Sequence, residues 1–203
     1  MIAKILEVIE ETGDIRSFRL QAKMDYLPGQ WMYVRLDENL KHHFTISSSP
    51  TEPFVQFTTK YRDESDYKKA LWQKRIGDDL EITGSFGSFV LDEKDSTPRL
   101  FIAGGIGITP FRSMIKYATD KKLTLPISLL YSVKNKSEAA FGDLPLTQLV
   151  ESEIQGRLDE EKIKKYCPDW KEREWWVCGP PAMVEATMLF APAGSKSEEF
   201  TGY

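Results

Sequence analysis

The chain has 203 residues, of which 41% are hydrophobic and 12% aromatic, which is enough apolar material for packed cores and excludes a disordered chain. Its formal net charge is -4, with 27 basic and 31 acidic residues well mixed, so it has no basic stripe of the kind that binds nucleic acid. The sequence opens on acidic residues rather than an apolar leader and has no run of about 18 apolar residues, which predicts a cytoplasmic protein without a membrane partner.

The first half of the chain contains short stretches in which hydrophobic residues alternate with polar ones. β-branched and aromatic side chains are frequent in them, and turn residues at 12–14, 28–29 and 77–78 separate them. This pattern predicts an antiparallel β-barrel with one helical insertion at 65–75. The predicted strands cover 3–11, 14–22, 30–36, 42–49, 54–61, 78–84 and 88–92.

After residue 97 the pattern changes to apolar strands that alternate with helical stretches, which is typical of a parallel sheet with crossover helices. We therefore predict two domains, a β-barrel over residues 1–97 and an α/β domain over 98–203. The predicted strands of the second domain are 100–104, 125–132 and 174–179, and its predicted helices are 110–120, 144–153, 159–167 and 182–190.

A glycine-rich loop follows the first parallel strand, in the sequence FIAGGIGITPFRSMIKY at 101–117. Thr109 is a suitable N-cap and Pro110 suits the first helical position, so the backbone N–H groups of that turn could bind a pyrophosphate, with Arg112 nearby. The loop is not a complete G-x-G-x-x-G, and a glycine turn of this kind can equally serve as a tight connection. Its glycines are Gly104, Gly105 and Gly107.

A second strand, turn and helix, WWVCGPPAM at 175–183, should bring Cys178 to the same edge of the sheet as the glycine loop. Cys178 could be a small buried hydrophobic residue or part of a nucleotide crevice. Because the chain has only Cys167 and Cys178 and no C-x-x-C, we predict no metal site and no disulfide framework.

These motifs together resemble the ferredoxin-NADP reductase superfamily of flavoproteins. The resemblance covers nearly the whole chain, and it implies an FAD-binding barrel followed by a domain that binds NADPH or NADH. The motifs that carry it are PGQWMYVRL, HHFTISSSP, GDDLEITGSFGSFVLD, FIAGGIGITPFRSM, GRLDEEKIK, WWVCGPPAMV and EEFTGY.

The resemblance implies specific FAD contacts. In the family motif R-x-[YF]-[ST], an arginine anchors the flavin diphosphate, an aromatic ring packs on the isoalloxazine and a hydroxyl lies near its N5. A histidine stands in the arginine position here, which weakens the anchor, and the backbone of the GSFGS segment at 84–88 is the expected substitute. The implied FAD-binding residues are His42, Phe44, Thr45, Thr59, Gly84, Gly87 and Ser88.

The resemblance also implies the coenzyme contacts. The second parallel strand ends with Ser132, Lys134 and Lys136, with no acid before Glu138, which favours the 2′-phosphate of NADPH over NADH. The implied coenzyme-binding residues are Gly105, Gly107, Thr109, Pro110, Ser132, Lys134, Cys178, Gly179, Pro180 and Met183.

The residues expected near the reacting atoms are Thr45, Cys178, Glu199 and Tyr203. Cys178 would fix the distance of the nicotinamide ring without acting as a nucleophile. In the resembling family a C-terminal aromatic residue covers the flavin face, which would be the role of Tyr203 or its neighbour Phe200, with Glu198 or Glu199 as the nearby carboxylate.

The resulting hypothesis is a flavoprotein that takes hydride from NAD(P)H onto FAD and passes electrons to a ferredoxin, a flavodoxin, an oxygenase component or a small diffusible acceptor. Two segments of the second domain, after 144–153 and after 182–190, are shorter than is usual in the family, which leaves a shortened sheet as an expectation. Two alternatives remain: an electron-transfer subunit of a larger complex, and a non-catalytic nucleotide-binding or redox-sensing module.

Overall fold

The computed structural model describes residues 1–200. Its first part is an antiparallel sheet in the order β4-β3-β6-β1-β2-β5. A single antiparallel bridge between Ile46 and Phe57 links the segment after β4 to β5, so the two edges of the sheet meet as in the predicted barrel. The strands are β1 (Ile2–Glu10), β2 (Ile15–Gln21), β3 (Trp31–Arg35), β4 (Lys41–Thr45), β5 (Val55–Lys60) and β6 (Asp79–Phe86).

The predicted helical insertion is confirmed as α1 (Asp66–Trp72), which begins where the side chain of Ser65 accepts a hydrogen bond from the backbone N–H of Lys68. The helix closes one end of the sheet, because Tyr67 and Leu71 pack into the same hydrophobic cluster as Phe44 and Phe57. The core therefore lies inside the curved sheet and beneath α1.

Residues 88–92, predicted as a strand, join no sheet. Their apolar side chains Phe89 and Leu91 are buried in the core of the second part of the chain, against Phe111 and Trp176. Leu91 N donates to Pro28 O (3.2 Å). The alternating pattern here reflects packing on the neighbouring sheet and not strand pairing.

The second part is a parallel sheet in the order β11-β10-β7-β8-β9. Five strands are present in spite of the short connections. The strands are β7 (Arg99–Gly104), β8 (Ile127–Val133), β9 (Thr147–Glu151), β10 (Glu174–Gly179) and β11 (Lys196–Glu199), and the helices are α2 (Ile108–Asp120), α3 (Ser152–Gln155), α4 (Glu160–Tyr166) and α5 (Pro181–Met188).

The prediction of a helix over 144–153 is wrong. Residues Thr147–Glu151 form β9, which pairs with β8 from Leu129 to Val133, and only Ser152–Gln155 is helical. Because the edge of a parallel sheet offers unpaired backbone groups, strand pairing overrides the weak local preference of this segment. Residues 196–199, for which no strand was predicted, pair with the other edge as β11.

The two parts meet where the first turns of α2 dock on the segment that continues β4. The guanidinium of Arg112 pairs with both carboxylate oxygens of Glu52, and the two side chains are 11% and 10% exposed. Arg112 Nη1 also donates to Ser47 O (3.0 Å), and Ser113 Oγ donates to Ser48 O (2.6 Å). Arg112, which the sequence placed near a bound phosphate, thus joins the two sheets.

None of the helices among residues 1–200 is long and apolar enough to span a bilayer.

Breaking the junction should destabilise the protein strongly. Glu52→Gln leaves the guanidinium of Arg112 buried without its counter-charge, so we expect a loss of roughly 3 kcal/mol in the free energy of unfolding. Urea denaturation measures this, with Asp66→Asn as the control because Asp66 forms only an exposed ion pair with Lys69. A loss below about 1 kcal/mol for Glu52→Gln would show that the pair does not hold the sheets together.

Candidate functional site

The candidate site lies at the carboxyl ends of β7 and β10, where the order of the parallel strands reverses. From β7 the chain builds the sheet in one direction through β8 and β9, and β10 and β11 then extend it in the other direction. Cys178 on β10 pairs in register with Ala103 on β7, so the loops after both strands lie side by side. Open α/β sheets bind their ligands at such a crevice.

The glycine loop forms a 3-10 turn over Gly105–Gly107 that runs directly into α2. The helix begins at Ile108, its N-cap is Gly107, and no side chain caps it. Thr109, predicted as the N-cap, lies inside the first turn, where its Oγ1 donates to Ile106 O (3.1 Å). That prediction is wrong because the 3-10 turn starts the helix before Thr109 is reached.

The three glycines have different roles. A Cβ at Gly107 would overlap the backbone carbonyl of Cys178, and one at Gly104 would overlap the Met183 side chain, so both permit the two loops to pack directly together. Gly105 adopts a φ of +50°, and a Cβ at this position would meet nothing within 4 Å. Only Gly105 therefore leaves open space for a ligand.

A cavity of about 380 Å³ opens beside Gly105, at the ends of β7 and β8 and the start of α5. Its volume is in the range of small-molecule sites. Three cationic side chains, Lys60, Lys134 and Arg157, line it, against one acidic side chain, Glu138. The other lining residues are Ile15, Gly104, Ile106, Ser132, Val133, Ser152, Leu158, Pro180, Ala182, Met183 and Ala186.

Several residues predicted to bind the coenzyme lie on this cavity and others do not. Those that line it are Gly105, Ser132, Lys134, Pro180 and Met183. Those that do not line it are Gly107, Thr109, Pro110, Cys178 and Gly179, all of which are buried at the loop contact.

A second, smaller cavity of about 70 Å³ lies between β4 and β5. Among the predicted flavin residues, Phe44, Thr45 and Thr59 line it, and Thr109 reaches it from α2. Its other lining residues are His43, Thr58, Lys60, Arg62, Lys68, Ile106 and Phe200. Because Lys60 and Ile106 line both cavities, the two spaces meet at the junction of the sheets.

Lys68 is the most unusual side chain of the smaller cavity. It is 2% exposed, its ammonium group lies 4.4 Å from the centre of the Phe44 ring, and it donates a hydrogen bond to Thr59 Oγ1. Burial, and secondarily the charge of Arg62, lower the pKa of Lys68 to about 7.

His42, the residue in the position of the family arginine, does not line the smaller cavity. Its ring packs edge-on against Tyr67 of α1, with 4.7 Å between ring centres. Burial and the nearby charges of Lys68 and His43 lower its pKa. An imidazole in this setting is mostly neutral near pH 7, so it is a poor substitute for a guanidinium.

The GSFGS segment, expected to supply phosphate contacts, also lies off both cavities. Gly84, Gly87 and Ser88 are absent from the lining of each, and the Trp31 ring packs over Gly87. Phe86, between them, is 40% exposed and packs against Trp31 on the outer face of the sheet.

Cys178 and the half-buried Glu198 are neighbours. They lie opposite each other on β10 and β11, and Cys178 is fully buried. Burial raises the pKa of both groups, that of Glu198 to about 7, and the Glu198 charge raises the pKa of the Cys178 thiol further. Glu198 Oε2 is buried without a hydrogen-bond partner among residues 1–200.

The end of the chain returns to the crevice. Phe200 N donates to Gly179 O (3.0 Å), and the Phe200 side chain lines the smaller cavity. Glu199 is exposed, whereas Glu198 faces Cys178. Tyr203, the expected aromatic cover, lies outside the described residues.

Sequence reasoning missed Lys68 and Arg157. Lys68 sits between Tyr67 and Leu71 on the buried face of α1, and a lysine inside an apolar stripe is a signal that could have been followed. Arg157 lies in GRLDEEKIK, one of the motifs that carry the resemblance, and that motif was a signal from which no role for Arg157 was drawn. No group of three or more potential metal-ligating side chains occurs within residues 1–200.

The chain is similar in sequence and in fold to several known oxidoreductases. The family model for the oxidoreductase NAD-binding domain matches residues 101–147. Flavohemoprotein A of Dictyostelium discoideum is 26% identical over 88% of this chain and 53% of its own length. The glycine betaine monooxygenase reductase subunit of Chromohalobacter salexigens is 25% identical over 90% of this chain and 58% of its own length.

A ferredoxin-NADP⁺ reductase from Neisseria gonorrhoeae, solved with bound FAD and NADP, superposes with a TM-score of 0.82 at 16% identity, covering 93% of this chain and 89% of that structure. This likeness confirms the predicted two-part fold. The chain spans only a little over half the length of the two curated relatives described above.

The Glu198 carboxyl should make stability depend on pH. The pKa of Glu198 is about 7 in the folded protein, above its ordinary value of 4.5. The stability that this carboxyl contributes in its protonated form is therefore fully present below pH 4.5 and is lost as pH rises through 7. The side chain at position 198 of the Glu198→Gln variant is neutral at every pH. The free energy of unfolding of the variant, relative to that of wild type, should therefore increase between pH 4.5 and 8, by up to about 3 kcal/mol.

Urea unfolding at several pH values measures the difference, with the exposed neighbour Glu199→Gln as the matched control. Parallel stability curves for wild type and Glu198→Gln would contradict the raised pKa.

Proposed function

We propose that this chain, which has the fold of the ferredoxin-NADP⁺ reductase described above and matches the oxidoreductase NAD-binding domain over residues 101–147, is an oxidoreductase that moves electrons from NAD(P)H through FAD to a separate acceptor. The observation that carries this function is the junction of two cavities, an aromatic-lined one on the antiparallel sheet and a cation-lined one on the parallel sheet, which share Lys60 and Ile106. A donor and a flavin bound there would lie next to each other.

The border of the smaller cavity has side chains that suit a flavin ring. Phe44 and Phe200 offer aromatic surface on it, and the buried hydroxyl of Thr45 lies at its edge. FAD bound here would accept two electrons together and release them singly. The residues of this chain would orient the ring and exclude water from it. We keep Phe44, Thr45 and Thr59 as the proposed flavin contacts.

Cys178 and Glu198 would support the coenzyme side from behind the loop contact, since neither side chain lines a cavity. The thiol is fully buried and its pKa is raised, so it remains a neutral spacer rather than a nucleophile. Glu198 can hold a proton at Oε2 near neutral pH. We assign the carboxylate role to Glu198 rather than Glu199, because Glu199 points to solvent.

We further propose that the end of the chain covers the flavin face. Phe200 is held at the crevice by its backbone bond to Gly179 and borders the same cavity as Phe44. An aromatic ring in that place would shield the flavin at rest and move aside for the coenzyme. The role assigned to Tyr203 stays a prediction.

NADPH is the proposed donor. The larger cavity combines Ser132, Ser152, Lys134 and Arg157, a set of hydroxyl and cationic groups suited to a 2′-phosphate. Lys134 pairs with Glu153 (3.3 Å), which leaves Arg157 as the stronger candidate contact, since no ion pair of Arg157 occurs among the pairs of residues 1–200.

The acceptor is proposed as a separate redox protein. One relative is named as the reductase subunit of a monooxygenase, which favours an oxygenase component over a ferredoxin or flavodoxin. Because the chain spans little more than half of that relative, the acceptor and the whole protein's activity are part of the proposal.

The direct test of function is the visible spectrum of the FAD-reconstituted protein before and after NADPH is added without oxygen. We expect the flavin absorbance to bleach on mixing and to return when an electron acceptor is added. Flavin that binds but is not reduced would favour the redox-sensing module instead.

Coenzyme choice should depend on Arg157. Arg157→Gln removes a charged partner of the 2′-phosphate, so we expect KM for NADPH to rise about tenfold while KM for NADH changes little. Steady-state kinetics with both coenzymes measure this, with Arg75→Gln on the exposed barrel surface as the control. Equal losses with NADPH and NADH would remove the assignment.

A further inference from the structure

The smaller cavity contains an unusual concentration of positive charge. Four of its lining residues are basic, namely His43, Lys60, Arg62 and Lys68, and none of its lining residues is acidic. Lys60 has carboxylate partners, Asp14 and Glu138, and these lie outside the cavity lining. A small space with this lining is suited to an anion.

Lys68 is built into this space rather than lying at its rim. Its side chain is 2% exposed, its ammonium group packs on the Phe44 ring, and the hydrogen bond that it donates goes to the uncharged hydroxyl of Thr59. A buried cation whose hydrogen-bond partner among residues 1–200 is an uncharged hydroxyl is costly, and an anion bound beside it would offset that cost.

The size of the space limits what the charge can meet. A water molecule needs roughly 10–15 Å³ of such volume, so the cavity of about 70 Å³ can hold a group the size of a phosphate, while a flavin ring would lie outside it, at its border. The aromatic surfaces of Phe44 and Phe200 at its border would meet the ring, whereas the basic side chains would meet the phosphate.

We propose that Lys68 binds a phosphate group of the flavin in this cavity, supplying from α1 the charge that His42 does not supply from β4, and that flavin loading is therefore coupled to proton uptake at Lys68. This inference rests on the proposed function, since it takes the ligand to be a flavin nucleotide. Neither the glycine loop nor the GSFGS segment takes part in it.

The charges around Lys68 determine the sign of the coupling. Burial, and secondarily the charge of Arg62, lower the pKa of Lys68 to about 7. His42 and His43 on β4 also have lowered pKa values, first because of burial and next because of the charge of Lys68. Lys60 of β5 lines the same space, and the other residues that line it from the second sheet within residues 1–200, Ile106, Thr109 and Phe200, are uncharged. A bound phosphate raises the pKa of Lys68 again, so a proton is taken up and affinity falls as pH rises above 7.

The experiment is a titration of the flavin-free protein with FAD and with riboflavin, which lacks phosphate, followed by flavin fluorescence from pH 6.5 to 8.5. For wild type we expect the Kd for FAD to rise above pH 7, by up to about tenfold per pH unit for one linked proton. Lys68→Met should weaken FAD binding at pH 6.5 about tenfold to a hundredfold and abolish the pH dependence. The Lys68→Arg variant carries its charge at every pH in this range, so it should bind FAD tightly and without pH dependence.

Lys69→Met is the matched control, because Lys69 is the next residue of α1 and is exposed. The calorimetric proton uptake of the unaltered protein at pH 8, measured in two buffers, tests the coupling without any variant. Equal FAD affinity in wild type and Lys68→Met, or no proton uptake, would overturn the inference while leaving the flavin function intact. Equal weakening of riboflavin would overturn the phosphate assignment, and absence of flavin binding in wild type would overturn the proposed function itself.

Discussion

The buried ion pair between Arg112 and Glu52 is the constraint on which the geometry of the site depends. It joins the first turns of α2 to the segment that continues β4, and the hydrogen bond from Ser113 to Ser48 reinforces it. One end of this connection carries the glycine turn and the other carries Phe44 and Thr45. Separating the two parts would leave a buried charge unpaired, which is costly, so this pair favours the arrangement in which the two cavities meet.

The turn after β7 packs directly against the end of β10, and this contact is the second constraint on the site. Gly107 allows α2 to begin directly against the carbonyl of Cys178, which holds the thiol at the carboxyl edge of the sheet. β11 then brings Glu198 beside Cys178, in a place where its carboxyl is desolvated and titrates near neutral pH. The positions of Cys178 and Glu198 are thus set by strand register, which is more rigid than a loop.

The sequence was informative where local chemistry decides structure. The apolar strands β7 and β10 and their glycine turns could be predicted, because continuous hydrophobic runs followed by glycine are typical of buried parallel strands. Residues 144–153 were predicted as helical and form an edge strand, since pairing with β8 is decided by tertiary contacts. The apolar residues of 88–92 suggested a strand but pack on the other sheet. Lys68 could not be assigned, because its role depends on α1 closing over Phe44.

Binding of the flavin ring at the junction of the two sheets is the proposal on which the function of this site rests. A crystal structure of the FAD-loaded protein tests it most directly. We expect the isoalloxazine ring beside Phe44 and Thr45, with Phe200 on its exposed face and the phosphates directed toward Lys68. A flavin bound along the GSFGS segment on the outer face of the antiparallel sheet, or away from the shared residues Lys60 and Ile106, would contradict it.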